Sequence, residues 1–411
     1  MQKFLVLSIF FSIIISTYMR AQQPDTAKLV NRLLIGGFVH ADAMYDTRQV
    51  TEAREGYLLL YPKDRALDKN GEDINAHGSF NQYAMTARLT LKAAGPDVLN
   101  AKVLALIEGD FTGASNLENN SFRLRHAYTK LSWVKVTLLA GQYWHPMDVP
   151  EMLPNVLSLN TGAPFHSFSR QPQVRADFRS GRFNFVLAAT SQRDYVNTGP
   201  VGPGSGYIRN SGVPNLHAQV HLIKEYLFAG FGYDYKVLVP RLVTDSLYKE
   251  AERIHSHAII AFLRIELKPL IIKAQTSFGQ NLNDHLMLGG YGVTSENPET
   301  GRRSYASLNY FNSWLNLTTT GQRVQFTLFT GLVKGFGSGK KILGTVYGRD
   351  PDLDYTYRVA PMVTWITGKM RVAWEMEITS AAYGNADDFY RIEPGKEVAN
   401  LRNTLSIHYD F

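Results

Sequence analysis

Cysteine is absent from all 411 residues. That excludes a disulfide framework, thiolate catalysis and a lipid-attached N-terminal cysteine. Beyond the N-terminus no apolar run approaches the roughly 18 residues that a spanning helix needs, so a chain of this kind that enters a membrane does so as strands. Charge of one sign is scarce too. Without Lys3 and Arg20, 41 basic residues face 36 acidic ones, a balance of only +5. With neither a dense basic face nor a reader module, no nucleic-acid partner is expected.

Met1-Gln2-Lys3 and the apolar stretch Phe4 to Ser16 have the form of a secretory signal peptide. Cleavage is expected after Ala21. The chain then divides into a signal peptide (1–21), a short periplasmic segment (22–34) and one domain over 35–411.

Within that domain apolar and polar residues alternate. Ile35, Gly37, Val39, Ala41, Ala43 and Tyr45 oppose His40, Asp42 and Asp46, and Tyr83, Met85, Ala87, Leu89 and Leu91 oppose Gln82, Thr86, Arg88, Thr90 and Lys92. Successive side chains of a strand take opposite faces, so each run has one apolar and one polar face. Sixteen such strands are expected, near 35–46, 82–92, 99–110, 121–132, 135–144, 169–180, 182–192, 215–223, 226–236, 256–267, 270–279, 304–316, 323–332, 355–366, 370–381 and 399–411. Short turns alternate with long loops at 48–79, 111–120, 145–168, 193–214, 237–254, 280–303, 333–354 and 382–398. This is the rhythm of an even-stranded transmembrane barrel with both termini in the periplasm. A soluble sandwich also alternates, but it demands neither the signal peptide nor the rhythm.

The last strand puts Leu401, Leu405, Ile407, Tyr409 and Phe411 on one face. A strand that ends on a bare aromatic resembles the terminal signature of bacterial outer-membrane barrels, which implies recognition by the barrel-assembly machinery. The fold expected is all-β: a closed antiparallel transmembrane barrel of 16 strands, surrounded by outer-membrane lipid of a Gram-negative bacterium. Phe411 is the residue that closes it, by pairing the last strand with the first.

A barrel of this size holds water unless something fills it. The third long loop, 145–168, carries Met147, Val149, Met152, Leu153, Val156, Leu157 and Leu159, which need cover from water. Folded into the lumen it forms a constriction. Its acids, Asp148 and Glu151, then face wall cations: Arg88, Arg123, Arg125, Arg170, Arg175 and Arg179, interspersed with Glu108, Asp110 and Asp177. Such a transverse field orients dipolar solutes, and an excess of arginine favours anions. Around His126 the apolar set is either even (Phe122, Leu124, Tyr128) or odd (Ala127, Leu131, Trp133), and a bulge reconciles the two. No metal site is expected: His255 with His257, or His217 with His221, gives two ligands where zinc wants three or four. Neither a cofactor nor a catalytic nucleophile paired with a base stands out.

Four blocks add a resemblance. Leu106-Ile107-Glu108-Gly109-Asp110-Phe111, Phe122-Arg123-Leu124-Arg125-His126-Ala127-Tyr128, Leu139-Ala140-Gly141-Gln142-Tyr143-Trp144 and Arg170-Gln171-Pro172-Gln173-Val174-Arg175 resemble the DcaP-like outer-membrane porins in order and approximate spacing. The resemblance covers the first half of the barrel. It implies a homotrimeric 16-stranded channel for small, often anionic organic acids, with Arg123, Arg125, Arg170 and Arg175 as wall arginines near the constriction. The long coiled-coil-like N-terminal extension of some members is not matched. The function expected is passive diffusion of small hydrophilic solutes with a preference for anions. A phosphate-selective porin, an outer-membrane enzyme and a surface-interaction barrel are the alternatives, the last suggested by the mixed-charge loop 48–79.

Overall fold

The computed structural model describes residues 33–157 and 162–411. The expected signal peptide, most of the 22–34 segment and Leu159 lie outside the described residues. Sixteen strands form the ring: β1 (Leu33–Asp46), β2 in two segments (Ser79–Tyr83 and Arg88–Ala94), β3 (Lys102–Asp110), β4 (Arg123–Ser132), β5 (Val136–Trp144), β6 (Arg170–Ser180), β7 (Phe183–Thr190), β8 (Asn215–Ile223), β9 (Leu227–Leu238), β10 (Ile254–Leu267), β11 (Leu270–Gln280), β12 (Arg303–Thr319), β13 (Val324–Ser338), β14 (Leu353–Thr367), β15 (Met370–Ala386) and β16 (Ile392–Asp410). Each pairs antiparallel with its sequence neighbours. β16 pairs with β1 from Asp410 opposite Phe38 to Arg402 opposite Asp46, so no edge is left open.

Closure solves the hydrogen-bond problem that hydrocarbon poses, because every barrel strand then has two partners. The outer face is apolar: Ile35, Val39, Leu89, Ile107, Phe185, Leu187, Phe231, Ile259, Phe326, Trp365, Trp374 and Ile407 are all exposed. The inner face is polar. Arg125, Asp234, Asn312, Arg358, Glu375 and Arg402 are buried there. Phe411 lies just past β16, and its N–H donates to the Gly37 carbonyl at 3.1 Å. Gly37 has to be glycine at this junction. A Cβ there meets the Arg88 carbonyl oxygen at 2.1 Å and the Phe411 ring at 2.8 Å.

Both readings around His126 hold, one on each side of a bulge. Glu108 pairs with His126, but Gly109 pairs with Leu124, so Arg125 is the extra residue on β4. The outward set is even before it (Phe122, Leu124) and odd after it (Ala127, Leu131). Arg123, Arg125 and His126 thereby all turn inward and are buried.

Among the boundaries that differ from expectation, two stand out. The turn expected at Gly95-Pro96 is centred on Leu99-Asn100, both at positive φ, with Val98 and Ala101 exchanging backbone hydrogen bonds. The loop expected at 382–398 is mostly strand: β15 and β16 run on past a register shift near Gly384 and leave only 387–391 between them. Gly384, Pro394 and Gly395 read as loop residues, yet they sit at and beyond that irregularity, where a ladder tolerates them.

Candidate functional site

The 145–168 loop leaves β5 and returns at β6. Its middle reaches β13, β14 and β15, eight to ten strands on from β5 and so on the far side of a ring of 16. Phe165 rests on Phe329 of β13, at 6.2 Å between ring centres, and over Gly331, where a Cβ meets the Phe165 ring at 2.4 Å. Arg358 of β14 donates to the Ala163 carbonyl at 3.0 Å, and the Asn155 amide donates to Thr327 of β13, also at 3.0 Å. The Leu157 N–H donates to Glu375 of β15 at 3.2 Å. Met147, Val149 and Met152 join the interior apolar cluster with Leu286, Met287, Trp314 and Phe329.

The first long loop enters the same space. It was expected to be an exposed mixed-charge segment, and from Lys63 onward it mostly is; residues 48–62 are mostly buried or half-buried. Val50–Ala53 and Leu58–Pro62 form a hairpin in which Tyr57, Leu58, Leu59, Leu60 and Tyr61 are fully buried. Five consecutive apolar residues are the signal of a strand covered on both faces. Wall arginines hold it by its carbonyls: Arg358 donates to Leu59 and Leu60, both at 3.0 Å, and Arg402 to Tyr57 and Gly56, at 3.2 and 2.7 Å. Arg402 also makes a two-pronged contact with Asp46, at 2.9 and 2.7 Å.

Four of the expected arginines converge on one section of wall. Arg123 donates to Asp110 at 3.0 Å and Asp194 at 3.2 Å, and Arg125 to Glu108 at 2.9 Å and Asp110 at 2.7 Å. Arg170 lies 2.7 Å from Asp194 and stacks over Trp144 and Phe168, at 4.9 and 4.8 Å. Their side chains are 8%, 2% and 0% exposed, so they form a closed ionic network rather than a row of free cations. Asp194, on the 193–214 loop, was not anticipated, since nothing in its local sequence ties it to β4 and β6. Burial alone would raise its carboxyl; the Arg170 and Arg123 guanidiniums outweigh that and hold it below its ordinary value.

Arg88 is the exception. Its Nε is 3.6 Å from Glu108, its side chain makes no hydrogen bond among the described residues, and its guanidinium lies 4.8 Å from the Phe38 ring centre. Arg88 and Phe38 together border two interior cavities, of about 210 Å³ and about 480 Å³.

No family model matches the sequence, and no curated protein matches it. Solved structures do. The crystal structure of the outer membrane channel DcaP of Acinetobacter baumannii superimposes with a TM-score of 0.67 at 17% identity, over 92% of this chain and 97% of that one. The anion-selective porin from Comamonas acidovorans gives 0.55 at 9% identity, over 92% and 99%. OmpT of Vibrio cholerae gives 0.55 at 10%, over 92% and 97%. The fold is that of the outer-membrane porins. At these identities the likeness establishes architecture, and the 16-stranded barrel implied by the DcaP-like resemblance is the one observed.

The remaining site residues take varied places within this porin fold. Arg175 forms a two-pronged pair with Asp177 on β6, at 2.9 and 2.8 Å, and is partly buried. Arg179 is exposed beside the short turn into β7. Glu151 is exposed. Asp148 is withdrawn from water: it is fully buried and accepts the Ser169 N–H at 2.7 Å. Burial pushes its carboxyl well above the ordinary range.

The histidines form two distinct settings. His255 and His257 lie on the outer face, bonded to Tyr235 and Tyr233 at 2.7 and 2.6 Å. On the inner face His145, His217 and Asp234 bring one ligand atom each to within 4.8 Å of one another. The Met147 N–H donates to His145 Nδ1 at 3.2 Å, and His145 Nε2 lies 2.9 Å from Asn215 Nδ2 and 3.6 Å from Asp234. His217 meets Asp234 at 3.0 Å and Lys236 meets Asp284 at 2.6 Å, a buried polar seat for the loops above. Ser406 is within 3.1 Å of His40, but on Nε2, which already faces Asp42 at 3.0 Å, so no activated hydroxyl results.

Proposed function

We propose that this protein is a passive diffusion channel of a Gram-negative outer membrane, with both termini in the periplasm, passing small hydrophilic solutes and preferring anions such as organic acids. The observation that carries the reading is a polar, arginine-rich lumen crossed by the 145–168 loop, with Arg88 left without a hydrogen-bonded carboxylate at the cavities. The loop narrows the passage, and the unmatched cation biases the field toward anions. The 50–62 hairpin narrows it further.

Assembly as a homotrimer fits the porin architecture, and a trimer form of OmpT is among the similar structures. The test is single-channel recording in planar bilayers under a salt gradient, with a panel of carboxylates, phosphate and sugars. An anion-directed reversal potential and larger carboxylate than sugar fluxes are expected. A cation-directed potential removes the anion preference, and phosphate flux well above that of carboxylates replaces organic acids as the solute.

A further inference from the structure

The charges around Arg88 leave one cation over. Arg123, Arg125 and Arg170 are matched by Glu108, Asp110 and Asp194, three against three, and all six are in contact. Arg88 adds a fourth cation with no fourth acid.

The smaller cavity brings further polar groups to it. Arg371 reaches Asp410 at 2.7 Å, His408 meets Asp410 at 3.0 Å, and His40 meets Asp42 at 2.9 Å. The acids next to this cavity are thus already engaged. Arg371, His40 and His408 line it together with Arg88, while Phe38, Met362 and Ala373 supply an apolar side. A partly buried guanidinium with idle N–H donors is costly to leave unpaired, and its fork geometry suits a carboxylate.

We infer that this cavity is a binding subsite for a small monocarboxylate, whose charged end sits on Arg88 and whose hydrocarbon end lies against Phe38 and Met362. One unmatched cation calls for one negative charge. A volume of about 210 Å³ suits an acid of a few carbons. The inference rests on the porin reading for its purpose, but the binding step is separable from conduction.

The test is calorimetric titration of the detergent-solubilised full chain with butyrate, beside butanol and inorganic phosphate. Wild type is expected to bind butyrate in preference to both. R88Q is expected to weaken butyrate binding by about tenfold or more, the usual consequence of losing a charge-assisted hydrogen bond, with R88K in between. A373F fills the cavity while keeping every charge, and is expected to abolish binding even if R88Q folds poorly. Wild-type affinity in R88Q or A373F overturns the subsite. Equal affinity for phosphate overturns the monocarboxylate assignment. Failure of the porin reading shows separately, as absence of current in bilayers from protein that still binds butyrate.

Discussion

His40 Nδ1 stands 2.9 Å from His408 Nδ1, across the junction where the last strand meets the first and no turn joins them. Each ring turns its other nitrogen to a carboxylate on its own strand, Asp42 or Asp410, at 3.0 Å. The two rings thus meet ring nitrogen to ring nitrogen across the closure, each anchored to its own strand's carboxylate. His408→Leu removes that contact and is expected to cost about 1–3 kcal/mol. The readout is a lower midpoint for thermal loss of β-structure in detergent, partly recovered by His408→Gln. Equal midpoints for His408→Leu and wild type would show that the pair contributes nothing to closure.

At the same junction, Gly37 and Phe411 form a steric lock. Gly37→Val places a branched side chain against the Arg88 carbonyl, and deletion of Phe411 removes the N–H that reaches Gly37. Both are expected to lower the yield of membrane-inserted barrel while leaving the unit conductance of the assembled fraction unchanged. Normal yields would undo this account of the terminal residue.

The 145–168 loop has a specific seat. Gly331→Leu fills the space that the Phe165 ring occupies, and Phe165→Ala empties it at about 3–5 kcal/mol of packing. Each variant is expected to raise unit conductance, because a displaced loop widens the passage. Conductance equal to wild type in both would falsify the constriction.

Acid should loosen the loops. Burial holds the rings of His166 and His285 down to about 3, and His145 is lowered well below its ordinary value, also by burial. Released rings titrate near about 6.5. Between those limits the released state binds more protons, so the stability of the packed loops falls as pH drops, by about 1.4 kcal/mol per pH unit for each ring. Asp148 acts in the opposite sense: its raised carboxyl favours the packed state at low pH, and that contribution is lost as pH rises. Three rings outweigh one carboxyl. Protease cleavage within 145–157 is expected to rise between pH 7.5 and pH 4, and His166→Phe with His285→Phe should flatten the rise. Cleavage independent of pH in wild type counts against it.

Strand number, closure and even the bulge at Arg125 were legible, because a period of two exposes each face directly and a switch of phase marks a bulge. The ionic network was half legible. Alternation turned Arg123 and Arg125 inward, but their partner Asp194 arrives from a loop whose position no local pattern encodes. The hairpin at Tyr57–Tyr61 announced itself as an apolar run, yet the charged residues around it dominate the loop's composition. His40 and His408 stood on the polar faces of the first and last strands, and only the register between those strands brings them together.

Arg358 grips the 50–62 hairpin through Leu59 and Leu60 and the 145–168 loop through Ala163, with one guanidinium. The two segments therefore have one hold in common, beside Arg402 on the hairpin and Thr327 and Glu375 on the loop. Neither can swing aside without loosening the hold on the other, so a recording of spontaneous opening should show one large current step in place of a ladder of small ones.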